Sequence, residues 1–224
     1  MEMKKIIFIL FYTLIFNYQH EHSVSMFGLP MAIVNINKKD TLINNIHCTK
    51  IVFKTKTNKI TSRFFKVDNV YETIINKKTK SIVSFKKSTY QPNVINKLET
   101  ELINGTIKYK NSDKIIHKNY LNIFSLLHYL ETTPYEKIES SKLIDREGLL
   151  YHCNINKNKT GDLIEFKLNF SLKNNLNDAI IEHTDLFTWA LFKKDAINKI
   201  IVKNSKIESC SFKSGVANLK SNIK

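Results

Sequence analysis

The sequence predicts a mainly β protein, a curved antiparallel sheet or open β-barrel-like single domain with one main α-helix at about residues 120–131. Three observations predict this fold class. Many segments alternate apolar and polar residues with period two, turn-forming residues separate them, and one segment has helical periodicity. About 200 of the 224 residues follow the first segment, which suits one domain with its own core.

The first segment has the features of a secretory signal. Two Lys residues precede an apolar run at 6–16, and Ser23-Val24-Ser25 supplies the small residues that a signal peptidase needs. The run is shorter than the about 20 residues that span a bilayer. A cleaved signal at 1–25 is therefore favoured over an uncleaved anchor. We expect a soluble or peripheral protein outside the cytoplasm, with its single antiparallel β domain at 26–224.

The clearest strand pattern lies at 63–75. Its largely apolar face consists of Phe65, Val67, Tyr71, Thr73 and Ile75. Charged and apolar residues are mixed on the opposite face, as expected for a half-buried strand. The polar break at 76–80 opens on an Asn, which tolerates a left-handed backbone, and returns the chain as a hairpin.

Other segments of the first half also favour strands. Residues 33–36 suit a short edge strand, and 46–55 alternate as the first clear strand. Residues 96–103 and 106–109 flank Asn104-Gly105, which is a strong signal for a two-residue hairpin turn.

The main helix is predicted within 119–132. Its apolar stripe, at positions i, i+3, i+4 and i+7, consists of Ile123, Leu126, Leu127 and Leu130. Asn119 or Asn122 can cap its start. Its end is predicted before Pro134, which cannot continue a helix.

The second half returns to strands. Residues 184–192 fit either a helix capped by Thr184 or a strand that is apolar on both faces, and periodicity does not decide between them. The other segments have strand patterns: 142–145, 149–156, 163–172, 199–203, 206–213 and 216–223.

The charge of the chain does not indicate a nucleic-acid partner. The net charge is +15, yet the only two Arg among the 35 basic residues are Arg63 and Arg146. Arg is the residue best suited to phosphates and base edges, and the Lys residues are scattered. We expect a solvated basic surface, no nucleic-acid binding, and at most a peripheral attraction to anionic lipid headgroups.

The three cysteines are Cys48, Cys153 and Cys210. Two of them could pair in an oxidising compartment, which would leave one free. Cys153 and Cys210 lie in strand-like apolar contexts, where Cys usually behaves as a small hydrophobic residue. Without a CxxC pair, a redox or zinc site is not expected.

No catalytic or metal-binding pattern is found. Asp68 and Glu72 would lie about 13 Å apart along a strand, too far for a glycosidase pair, and cross-strand partners of Lys66 or Lys86 are the favoured role. The charges at 145–147 could grip a ligand, but solvated turn residues are the favoured interpretation. The seven His residues show no metal-ligand spacing. We expect no enzyme activity, no metal and no cofactor.

Four blocks of the chain resemble the exported bacterial domain-of-unknown-function 3108 family. They lie at 64–75, 124–130, 185–189 and 215–217, in family order. In the second block, Ser125, Tyr129 and Leu130 match the family's Leu-Ser-x-x-Tyr-Tyr-Leu. The resemblance covers about 46–224, and the family's glycine-bearing first strands are not evident before it.

The resemblance implies a curved antiparallel sheet or open barrel in the cell envelope, that is, in the periplasm or associated with the outer membrane. It also favours the strand alternative for 184–192. The family has no established catalytic residues, so the resemblance implies no active site.

The functional hypothesis is an exported, non-enzymatic β protein that binds or moves a lipid or another apolar envelope component. A sheet of this kind must cover its apolar face with side chains or with a ligand. Candidate ligand contacts are Phe65, Tyr71 and the single Trp, Trp189, although a lone Trp more often belongs to a core. The alternative is a structural or interaction protein that docks on another envelope protein.

Overall fold

The computed structural model describes residues 18–110, 112–117, 119–173, 179–215 and 217–224. The helices among these residues are α1 (Ile123–Thr132) and α2 (Leu186–Leu191). The strands are β1 Tyr18–Met26, β2 Leu29–Ile43, β3 Ile46–Thr57, β4 Asp68–Asn76, β5 Ile82–Gln91, β6 Val94–Ile103, β7 Thr106–Tyr109, β8 Ile115–Ile116, β9 Tyr120–Leu121, β10 Ser141–Arg146, β11 Leu149–Thr160, β12 Leu163–Leu172, β13 Ile197–Lys203, β14 Lys206–Ser214 and β15 Ala217–Ile223.

All 15 strands belong to one sheet, in the order β8-β7-β6-β5-β4-β3-β2-β1-β15-β14-β13-β12-β11-β10-β9. Neighbours pair antiparallel, except that β9 and β10 are parallel. The two edge strands are consecutive in the chain: β8 ends at Ile116 and β9 starts at Tyr120. Four residues span at most about 14 Å. The sheet therefore curls until its edges almost meet, giving a nearly closed barrel.

Helix α1 lies inside the curl of the sheet. The Asn122 side chain accepts a hydrogen bond from the Ser125 amide at 2.8 Å, and Ser125 Oγ accepts one from the Asn122 amide at 2.9 Å. This reciprocal cap fixes the start of the helix. Phe124 then stacks on Tyr71 of β4, with ring centroids 4.5 Å apart. The helix fills part of the interior that the sheet encloses.

The structure confirms the predicted fold class, both predicted hairpins and the main helix, which Asn122 rather than Asn119 caps. Strand β4 begins at Asp68 instead of residue 63, because Thr61–Arg63 forms a 3₁₀ turn. The prediction of a short edge strand at 33–36 is wrong. These residues belong to the 15-residue β2, which pairs with β1 on one side and with β3 on the other.

The strand that the resemblance favours at 184–192 is also wrong, since α2 occupies this segment. Oδ1 of Asp185 accepts a hydrogen bond from the Thr188 amide at 3.0 Å. This N-cap satisfies an amide that has no partner within the helix. The helical alternative is therefore confirmed, with Asp185 instead of Thr184 as the cap.

The assigned signal segment overlaps the described fold. Residues 1–17 lie outside the described residues, but Tyr18–Met26 forms β1, which pairs with β2 and with β15. Within the described residues the sheet thus includes Tyr18–Met26, and a domain boundary at residue 26 would cut it. A secretory signal ahead of the domain stays a prediction.

All three cysteines are free and buried. Burial raises the pKa of the Cys153 and Cys210 thiols to about 12. They pack as small hydrophobic residues, as predicted, and no disulfide joins any two of the three.

Candidate ligand cavity

An apolar cavity of about 450 Å³ runs through the barrel next to α1. Strands β1, β2 and β3 form one wall, and β14 and β15 form another. Phe124 of α1 and Phe187 of α2 cover the cavity from inside the sheet. Val34 and Ile36 of β2 line it and are only partly buried, although both pack against the core. The sheet therefore encloses more space than its own side chains fill.

The register of the sheet explains which side chains face the cavity. Side chains alternate between the two faces of a strand, and residues paired across strands share a face. His22 pairs with Val34, and His20 pairs with Ile36. All four line the cavity, while Asn35, between two of them, lies on the outer face.

One end of the cavity is polar. Lys38 of β2 forms an ion pair with Glu131 of α1, and their side chains are only 14% and 5% exposed. His20, His22 and His128 line the same end. Burial, reinforced by the nearby Lys38 charge, lowers the pKa of His22 and of His128 to about 4. At neutral pH these two imidazoles are uncharged.

We interpret the opposite end of the cavity as its mouth, because Thr61 and Phe65, which line it, are next in the chain to the exposed Ile60 and Phe64. Met26 and Met31 also line this end. Met31 and Lys38 are seven residues apart on β2, which corresponds to about 23 Å along an extended strand. The cavity is thus long and narrow, with an apolar mouth at one end and a polar pocket at the other.

The structure separates the three candidate ligand contacts. Phe65 lines the mouth, and Tyr71 lines the wall beneath it. Trp189 lies elsewhere, half exposed, with Lys193 Nζ 4.8 Å from the centre of its ring. Sequence reasoning missed Lys38 and Glu131, because they come together only when α1 packs inside the sheet.

A buried polar cluster lies behind the cavity wall at Tyr71, where solvated turn charges were expected. Nζ of Lys87, on β5, donates to Oδ2 of Asp185 at 2.6 Å and also contacts Glu147 in the β10–β11 turn. The Lys87 and Asp185 side chains are 1% and 0% exposed. The interpretation of 145–147 as a solvated turn is wrong, since Asp145 and Glu147 are buried.

The cluster ties the two halves of the sheet together. Glu147 has a φ of 55°, an unusual backbone conformation for a residue other than Gly, Asn or Asp. Thr184 Oγ1 donates to the Glu147 carboxylate at 2.8 Å, which further fixes that turn. Because Lys87 is enclosed on all sides, we interpret the cluster as a structural link between β5, the turn and α2.

Asp68 and Glu72 form cross-strand ion pairs on the outside of the sheet, with different partners from those expected. Asp68 pairs with Lys56 at 3.1 Å, and Glu72 pairs with Lys50 at 2.6 Å. Among the described residues, no group of His, Cys, Asp or Glu is arranged to hold a metal ion. Within the same part of the chain, none of the helices has the length and apolar character needed to cross a membrane.

Comparison with known proteins gives a structural relative only. No family model matches the chain, and no curated protein matches it. The fold is similar to the crystal structure of a beta-barrel-like protein of domain of unknown function DUF1849 from Brucella abortus. The TM-score is 0.53 at 6% identity, over 93% of this chain and 95% of that one. At this identity the comparison supports the barrel-like fold and leaves the resemblance to the domain-of-unknown-function 3108 family as a prediction.

Proposed function

We propose that this protein is an exported, non-enzymatic lipid-binding protein of the cell envelope that holds an apolar molecule in the barrel cavity. The observation that carries this proposal is the long cavity lined by Val34, Ile36, Phe53 and Phe212. A volume of about 450 Å³ lies in the range of small-molecule sites, about 300–1,000 Å³. An apolar void of this size is costly when empty and poorly suited to water.

The shape of the cavity suits a molecule with one polar end. An acyl chain would contact the apolar walls between the mouth and Phe53. A polar head would lie beside Lys38 and the uncharged imidazole of His128. The signal-like first segment supports a site of action outside the cytoplasm.

The test is mass spectrometry of organic extracts from protein purified gently out of the envelope fraction. One lipid class recovered at close to one molecule per chain would support the proposal. Delipidated protein should then melt at a lower temperature than the protein as purified, since a ligand that binds only the folded state stabilises it. An extract that contains no lipid, together with identical melting temperatures of both preparations, would refute the proposal.

A pair of variants on one strand locates the ligand. Val34→Trp places a large side chain in the cavity, and Asn35→Trp places the same side chain on the outer face. We expect Val34→Trp to abolish lipid recovery while the protein remains folded. Asn35→Trp should retain the lipid. Equal recovery from both variants would show that the lipid binds outside the barrel.

A further inference from the structure

The mouth of the cavity carries an exposed apolar rim, which consists of Phe27, Leu29, Ile60 and Phe64. Their exposed fractions are 64%, 66%, 74% and 85%. Phe27 and Leu29 come from the β1–β2 turn, and Ile60 and Phe64 come from the segment between β3 and β4. Side chains of this size are not normally left in water as a group unless the surface has a partner.

Hydrogen bonds hold the two parts of the rim together. The Asn58 amide donates to the Met31 carbonyl at 3.0 Å, and Asn58 Nδ2 donates to the Pro30 carbonyl at 2.6 Å. Thr61 Oγ1 also lies 3.6 Å from Met31 Sδ. The rim is therefore one surface, and Met31, Thr61 and Phe65 beneath it line the cavity.

Phe27 occupies its turn at a conformational cost. It has a φ of 52°, and a bulky residue in the left-handed region is an outlier. Three other turns have Asn at a residue with nearly the same φ: Asn44 (47°), Asn104 (49°) and Asn204 (50°). Asn is the residue that such two-residue turns prefer. A Phe that is mostly exposed in this position gains little from packing, which indicates a role outside the fold.

In the two segments that form the rim, every charged side chain is basic. Residues 57–67 contain three basic side chains, Lys59, Arg63 and Lys66, and no acidic residue. All three are exposed. The β1–β2 turn at 26–31 carries no charge at all. An apolar tip surrounded by basic side chains complements a bilayer that contains anionic lipids.

We propose that the rim docks on an anionic membrane, so that the cavity opens directly towards the lipid. Phe27, Leu29, Ile60 and Phe64 enter the headgroup region, while Lys59, Arg63 and Lys66 contact lipid phosphates. Docking does not depend on the cavity being occupied. The two proposals can therefore fail separately.

The first experiment places a Trp reporter at the rim. Phe64→Trp and, as a matched control, Leu42→Trp are each made in a Trp189→Phe background. Leu42 is also exposed, at 57%, but lies at the opposite end of β2 from Leu29. Vesicles of phosphatidylcholine with phosphatidylglycerol and bromine-labelled acyl chains quench a Trp that enters the bilayer. Quenching reports which part of the protein contacts the bilayer. An uncleaved apolar segment at 6–16 that binds the vesicle would therefore not by itself quench the reporter at the rim.

We expect the fluorescence emission of the Trp at position 64 to shift to shorter wavelength and to be quenched. The emission of the Trp at position 42 should remain as in water. Replacing Lys59, Arg63 and Lys66 by Gln should weaken vesicle partitioning on the order of 100-fold, at about fivefold per basic side chain. Phe27→Asn should weaken binding while leaving the melting temperature unchanged or higher. An unquenched Trp at 64 would overturn the proposal.

A protein partner would give a different result. If the rim joins two copies of this chain, sedimentation of the lipid-free protein will show a dimer that Phe27→Asn with Phe64→Ser converts to monomer. That outcome would also overturn membrane docking. Lipid recovery from the cavity is measured separately on the same variants. Docking without a bound lipid would reject only the proposed function.

Discussion

Nζ of Lys87 lies 2.6 Å from Oδ2 of Asp185, and the two residues are 98 positions apart in the chain. Burial acts to raise the pKa of the Asp185 carboxyl, but the Lys87 ammonium and hydrogen bonds from Thr188 hold that pKa below its ordinary value. The contact joins β5 to the N-terminus of α2. Together with Glu147, it links the two sides of the barrel.

We expect Lys87→Met to lower the free energy of unfolding by about 3–5 kcal/mol, because two buried carboxylates lose their cation. The measurement is urea unfolding at pH 7. The loss should shrink in acid, as the Asp185 carboxylate becomes protonated. Lys86→Met is the matched control, since Lys86 lies next in the chain but forms an exposed pair with Glu99. Equal effects of the two variants would contradict a structural role for the cluster.

Substitutions of Lys38 and Glu131, the ion pair at the polar end of the cavity, should have strongly non-additive effects on the free energy of unfolding. Lys38→Met leaves Glu131 buried without its partner and should cost about 3–5 kcal/mol of the free energy of unfolding. The double variant Lys38→Met with Glu131→Met should recover most of that loss, because no buried charge remains. A double-mutant cycle from urea unfolding measures the coupling. Additive effects would show that the two side chains do not pair in solution.

Acid should destabilise the protein through its buried imidazoles. The pKa of His22 and His128 is about 4 in the folded state and 6.5 as the ordinary value. Between these values the unfolded chain binds more protons than the folded one. The free energy of unfolding therefore falls as the pH is lowered from about 6.5 to about 4.

The check compares pH profiles of variants. Replacing His22 and His128 by Gln should flatten this part of the profile, and replacing the exposed His183 by Gln should not. Asp145 acts in the opposite direction. Burial raises the pKa of its carboxyl to about 7, so its own contribution to stability increases as the pH falls below 7. Asp145→Asn should therefore make the acid loss steeper.

Removal of β1 should destroy the fold. A chain that begins at Met26 lacks the strand that pairs with both β2 and β15. We expect it to show no cooperative unfolding transition, whereas a chain that begins at Tyr18 should show one. The mature N-terminus, determined by mass spectrometry, should then lie at or before Tyr18. A folded protein starting at Met26 would show that β1 is dispensable.

The sequence predicts the local elements well because their signals are local. Asn104-Gly105 specifies its turn, and Asn122 with Ser125 caps α1 through residues three positions apart. The cavity could be predicted only in part, through Phe65 and Tyr71 on one strand face. The width of the sheet, which decides whether that face is filled, depends on pairing among all the strands.

The remaining features of the site depend on distant contacts. Lys87 and Glu147 each look like an ordinary surface residue in the sequence, and only the curl of the sheet encloses them. The rim could have been suspected from Phe27, since a Phe before Gly at a hairpin turn replaces the usual Asn. That signal was not apparent, because the turn lies between strands assigned partly to a signal segment.

The pairing of β1 with β15 has a consequence for how the protein is made. His22 pairs with Ile223, about 200 residues later in the chain, so the sheet is completed by one of its most distant contacts. Such contacts form slowly. A chain synthesised from its N-terminus exposes the apolar face of β1 and β2 until its last strand arrives. We therefore expect a chaperone that covers an unpaired strand edge to raise the yield of folded protein, and slower completion of the chain to lower it.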